Sequence, residues 1–238
     1  PIDGPSSTPD AVCFLRAAPV SHALHSSALV APTAPPPSIP QTPKPEHHWR
    51  LTELAGRVCE LGFDGQTQRF SFTASLLREA QEQGQPTAWI HTGGGIFHAP
   101  DLAEGGIDLD AVPVIRAPHG IAAVRAADHL LRSGAFGLVV VDLGAHCDLP
   151  PGMQSRLAGL ARHHQSALMF LTRPSTNGRP GGQPAAGSLG ALVSLRAKGT
   201  MQTVRPGYFR CSLTALRDKR HGPGWTREEV RRGPAGLC

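Results

Sequence analysis

The run Leu138-Val139-Val140-Val141-Asp142 constrains this chain more than any other segment. It has no polar break before the aspartate, and valine fills consecutive positions. A strand with one solvated face would alternate apolar and polar side chains, so this one suits a parallel sheet covered on both faces. Such a sheet needs helices on either side and crossovers long enough to hold them. The neighbouring sequence supplies both. Gly120 to Arg132 reads as an amphipathic helix stopped by Gly134, and Gly152 to His164 as the next.

The same alternation extends in both directions. Val58-Cys59-Glu60-Leu61 reads as a strand ended by Gly62-Phe63-Asp64-Gly65, and Phe72 to Gln83 as a helix with Phe72, Leu76, Leu77 and Ala80 on one face. Thr87 to Ile90, Val112 to Arg116 and Ala167 to Thr172 read as strands, and Pro100 to Gly105 as a short helix. Leu189 to Arg196 and Phe209 to Leu216 complete the sheet, antiparallel at that edge. The predicted class is α/β, a mostly parallel sheet flanked by helices with right-handed crossovers.

Three regions are expected. Residues 1–45 hold about half of the 23 prolines, including Pro35-Pro36-Pro37, and read as a disordered arm rich in Pro, Ala and Ser. Its apolar patches, Val12-Cys13-Phe14-Leu15 and Ala23 to Val30, could dock on the body or on a partner. The core runs over 46–221, and 222–238 reads as a basic flexible tail anchored only by Trp225 and Val230. The five cysteines are scattered without a C-x-x-C pair, and the paired histidines lack metal-ligand spacing, so neither a zinc site nor a disulfide framework is signalled. The chain opens at Pro1 without a charged-then-apolar leader, and no apolar run has the length of a membrane span. A cytoplasmic protein that does not engage a membrane is expected.

In a sheet of this kind ligands sit beyond the carboxyl ends of the strands, so the first strand-to-helix turn is where a nucleotide belongs. A working phosphate loop reads G-x-x-x-x-G-K-[ST]: amides cradle the phosphates, the lysine neutralises them and the hydroxyl holds magnesium. Here the turn runs from Gly62 through Gly65 to Ser71. Anchored on Gly62, the second glycine is Thr67, the lysine Gln68 and the hydroxyl residue Arg69. Shifted by one residue, Arg69 takes the lysine place, but Phe63 and Gln68 then replace the glycines and Phe70 the hydroxyl. Asp64 would repel a triphosphate. The strand Thr87 to Ile90 runs into His91-Thr92-Gly93 without an acid to polarise water, which leaves Asp142 as the one candidate magnesium-side carboxylate. No catalysis and no cofactor are expected. The alternative is weak binding of ATP and magnesium, with Arg69 on a phosphate and Ser71 or Thr67 as a displaced hydroxyl.

With these residues laid out, the chain over about 50–220 resembles the RecA recombinase core. The resemblance rests on Gly56 to Leu61 before the turn, Ala80 to Gly84 leading to Ala88-Trp89-Ile90-His91, and Leu130 to Ala135 before the valine run. Within that superfamily it looks most like ImuA, a RecA- and SulA-related family of bacterial mutagenesis cassettes. Ala88-Trp89-Ile90, His98 to Ala103, Gly106-Ile107-Asp108-Leu109, Arg173-Pro174 and Lys219 to Gly224 carry that likeness. It implies a role in damage-induced, error-prone translesion synthesis beside an ImuB-like polymerase homologue and an error-prone C-family polymerase, with RecA as a further partner. It also places Arg173 near RecA's nucleotide-coupling glutamine, where an arginine cannot accept a hydrogen bond. Phe14-Leu15-Arg16-Ala17 spells F-x-x-A, an interaction motif of some recombinases.

Charge points to DNA as a partner. The net charge is +5, and its excess lies in the last third, in residues such as Arg196, Lys198, Arg205, Arg210, Arg217, Lys219 and Arg220. The Gly- and Pro-rich segment after Thr172, with Arg173 and Arg179, takes the place of RecA's second DNA loop but has no aromatic for stacking. Arg173, Arg179, Arg217, Lys219 and Arg220 are the DNA-binding candidates, and steep salt dependence is expected. A non-catalytic adaptor is the leading expectation. A weak ATP-binding recombinase-like protein and a SulA-like inhibitor of cell division are the alternatives.

Overall fold

In the computed structural model the valine run forms β5 (Leu138–Gly144), and all of its residues are buried. The structure describes residues 13–15, 48–63, 68–93, 97–144, 149–172 and 189–233. Around β5 lie β2 (Val58–Phe63), β3 (Thr87–Thr92), β4 (Val114–Ala117) and β6 (Ala167–Thr172). Beyond β2 come β7 (Leu195–Arg205), β8 (Tyr208–Asp218) and β9 (Thr226–Arg232). With β1 (Cys13–Leu15) the strands join in one nine-stranded sheet of order β1-β4-β3-β5-β6-β2-β7-β8-β9. Strands β4 to β7 of that order run parallel, and β1, β8 and β9 pair antiparallel. The mostly parallel α/β class is as the valine run predicts.

Helices cover both faces. On one side lie α1 (Leu51–Leu54), α2 (Gln68–Glu82) and α3 (Ala99–Glu104), over a core that includes Trp49, Phe72, Leu76, Leu77 and Trp89. On the other, α4 (Gly120–Ser133) and α5 (Pro151–His164) cover Val139, Val141, Leu157, Leu168 and Phe170. Alternate residues of β5 thus serve opposite cores, as a strand period of two requires. Helix α4 ends at Gly134, whose φ of +67° suits a left-handed cap.

Three expectations change. The chain beyond Gly222 is not wholly a flexible tail, because Thr226–Arg232 adds β9 to the sheet edge. Apart from Val230 its residues are polar or charged and carry no apolar period, so backbone pairing to β8 holds it. The segment from Leu189 to Ser194 is not strand: Leu189 and Val193 turn into the second core, and β7 begins only at Leu195. Helix α2 opens at Gln68, so Gln68, Arg69 and Ser71 belong to its first turns and Gly62 to β2. In the arm, Cys13–Leu15 pairs with β4, and the other residues of 1–47 lie outside the described residues.

Candidate nucleotide site and basic surface

The carboxyl ends of β2, β3, β5 and β6 converge where a nucleotide would sit in this kind of sheet. Gly62 is in β2, residues 64–67 with Gly65 and Thr67 lie outside the described residues, and α2 is described from Gln68. A phosphate loop leads straight into a helix N-terminus. The described part of α2 starts at Gln68, which takes the lysine position in the register anchored on Gly62. Ser71 is half-buried on the next stretch of helix and hydrogen-bonds Cys211 of β8. Burial raises the Cys211 thiol's pKa, and that hydrogen bond only partly opposes it.

Asp142 is fully buried and pairs in register with His91 of β3. Its Oδ1 accepts the Gly144 N–H at 3.0 Å, where the β5–β6 register shifts and Gly144 takes a φ of +64°. The carboxylate thus has a local structural task, supporting a bend at the strand end. His91 is half-buried with Nδ1 3.2 Å from the Thr92 carbonyl. Among the described residues at the end of β3, His91, Thr92 and Gly93, there is no carboxylate.

Glu60, which sequence reasoning passed over, is buried in the middle of β2. Its Oε2 meets Arg196 Nε at 2.8 Å and accepts the Leu189 N–H at 3.3 Å, while Oε1 accepts from Thr172 Oγ1 at 3.1 Å. Thr172 and Leu189 are the points at which the segment bearing Arg173 and Arg179 leaves and rejoins the described fold. Arg173 and Arg179 themselves lie outside the described residues. A glutamate inside an otherwise apolar strand was the available signal, since a buried charge demands a partner.

The basic last third is partly neutralised, by Glu53 and Glu60 from far away in sequence and by Glu229 within it, while Arg57 occupies its acid Asp218. Arg57 donates to Asp218 at 2.5 Å, deep in the fold, and Arg220 Nη1 reaches Glu53 at 3.1 Å. Arg227 and Arg231 both pair with Glu229. Lys219 donates to the Ala191 carbonyl at 2.9 Å, and desolvation, helped by the charges of Arg217 and Arg162, lowers its pKa. Arg217, Lys219 and Arg220 sit where β8 ends beside the start of β7, because Asp218 pairs with Leu195. Thr172 closes β6 at the opposite, carboxyl end. Arg217, Lys219 and Arg220 thus lie at the end of the sheet opposite Thr172, the last described residue before Arg173.

This topology and strand-end geometry define a RecA-like α/β core. Protein RecA of Fusobacterium nucleatum is 29% identical over 140 residues, covering 50% of this chain and 36% of the relative. RecA of Thermotoga maritima is 29% identical over 119 residues, 44% of this chain and 33% of the relative. RecA of Corynebacterium urealyticum is 30% identical over 131 residues, 49% and 34% respectively. The chain spans about a third of the length of these curated relatives. A crystal structure of the RadB recombinase superposes with a TM-score of 0.56 at 16% identity, covering 73% of this chain and 86% of that one. No protein-family model matches. No described helix is long and apolar enough to cross a membrane.

Proposed function

We propose that this chain is a non-catalytic RecA-like adaptor of the ImuA type, acting in the SOS response to DNA damage during error-prone translesion synthesis. One observation carries the proposal: at the turn after β2, Thr67, Gln68 and Arg69 stand where glycine, lysine and a hydroxyl residue are needed. A domain that does not bind ATP has no nucleotide-driven switch and acts by contact. An ImuB-like polymerase homologue and an error-prone C-family polymerase are the proposed partners. RecA is a further one, since a domain of similar shape without nucleotide control can cap its filament. DNA completes the set. Affinity capture of the tagged chain after DNA damage tests this, with recovery of the polymerase homologues expected. Recovery of cell-division protein alone would replace the adaptor by a SulA-like inhibitor.

A second reading, an atypical weak ATP-binding recombinase-like protein, is favoured by Arg69 in the first turn of α2 and Asp142 at the end of β5. DNA-stimulated ATP turnover that disappears in Arg69→Ala and Asp142→Ala would establish it.

A further inference from the structure

The strands β7, β8 and β9 present one face that no described helix covers. On the other face Ala197, Cys211, Leu213 and Ala215 are buried in the core that α2 closes. Alternation along the strands sorts the arginines between the two faces. Arg227 and Arg231 share their face with Glu229, which pairs with both. The neighbouring residues point the other way. There the register sets Gln202, Arg210 and Val230 in one row and Arg205, Tyr208 and Arg232 in the next.

Beyond Gly199, which pairs with the last residue of β2, β7 continues to Arg205, so these rows stand on a three-stranded tongue projecting past the central strands. At ~3.3 Å per residue the overhang is roughly 20 Å. Arg205, Arg210 and Arg232 form no ion pair among the described residues, and the acid of the adjoining row, Glu228, accepts from Ser212 at 3.1 Å. The Arg205 guanidinium lies over the Tyr208 ring, 3.9 Å from its centroid, and is exposed. Val230 beside Arg210 is 46% exposed. The face therefore combines cations at strand spacing, a planar stack and an apolar contact without a hydrophobic groove. A single-stranded nucleic acid offers the complement: repeating phosphates, and bases free to stack on guanidinium or ring. An acidic protein surface would use the charges and leave the stack idle.

We infer that this open face binds single-stranded nucleic acid, with Arg210 and Arg232 taking backbone phosphates and the Arg205–Tyr208 stack taking a base. The inference deepens the nucleic-acid part of the proposed function and rests on it, but moves the contact away from Arg217, Lys219 and Arg220.

Fluorescence anisotropy of labelled oligothymidylate with the full chain tests it, each variant being first shown by thermal melting to fold. Arg210→Ala/Arg232→Ala should weaken binding about tenfold and reduce the slope of log affinity against log salt by about 1.4, two phosphate contacts at ~0.7 each. Tyr208→Ala should cost about fivefold or more, whereas Arg217→Ala/Lys219→Ala should stay near wild type. If the wild type binds and the tongue variants bind equally well, the face is wrong while nucleic-acid binding stands. If the wild type does not bind, both fall. The adaptor reading is judged separately, by its partners and by ATP.

Discussion

Glu60 and Arg196 face each other across β2 and β7 at 2.8 Å, and the same carboxylate holds Thr172 and the Leu189 amide. One buried side chain therefore ties three strands to both ends of the segment between β6 and β7. Removing one partner of a buried pair leaves the other charged and desolvated, which costs about 3–5 kcal/mol. Glu60→Ala should lose that much in a urea melt, and Glu60→Gln, which keeps the hydrogen-bonding shape, should lose less. Equal losses would mean that packing rather than charge holds the clasp.

Asp218 predicts an acid limit to stability. Burial alone would push its carboxyl up. The Arg220 N–H, Arg57 and Trp225 hydrogen bonds, with the Arg57 charge, outweigh that and hold its pKa below the ordinary value. A lowered native pKa contributes stability that is fully present above the unfolded value, about 4, and lost as pH falls through the native one. The melting temperature should fall below about pH 4. Asp218→Asn should start lower at neutral pH and decline less steeply in acid. Parallel curves for the two proteins would contradict this.

Ending the chain at Gly222 removes β9, the Trp225 bond to Asp218 at 3.0 Å and the Arg227 bond to the Trp49 carbonyl at 2.8 Å. The truncated protein should lose at least about 2 kcal/mol, roughly 4–8 °C in melting temperature. An unchanged melt would return this segment to the status of a tail.

Gly134 has a φ of +67°, and a Cβ there would stand 2.7 Å from His164 Nδ1. Gly134→Ala combines left-handed strain with a collision between α4 and the end of α5. A loss of about 1–3 kcal/mol is expected in chemical denaturation.

How far the sequence was legible depends on where each element gets its stability. β5 announced itself because its burial is written in its own residues, and α4 because its apolar stripe and Gly134 are local signals. β9 did not, since Thr226–Arg232 is polar or charged except at Val230 and depends on pairing with β8. Leu189 and Val193 read as strand because apolar residues crowd there, yet they turn into the core beside α5. Counting charges along the last third overstated its free basicity, because Glu53 and Glu60, which answer Arg220 and Arg196, lie more than a hundred residues away in sequence. At the candidate site, the substitutions in the turn were plain from the sequence. The cap that Asp142 provides for Gly144 depends on the bend at the end of β5, which no local sequence signal marks.

A non-catalytic adaptor requires that the segment after β2 hold no triphosphate. Titration of ATP with magnesium into the full chain, followed by heat, tests it most directly. No saturable binding is predicted, with any residual affinity weaker than about 1 mM. Saturable one-to-one binding at lower concentration, abolished by Arg69→Ala, would contradict it.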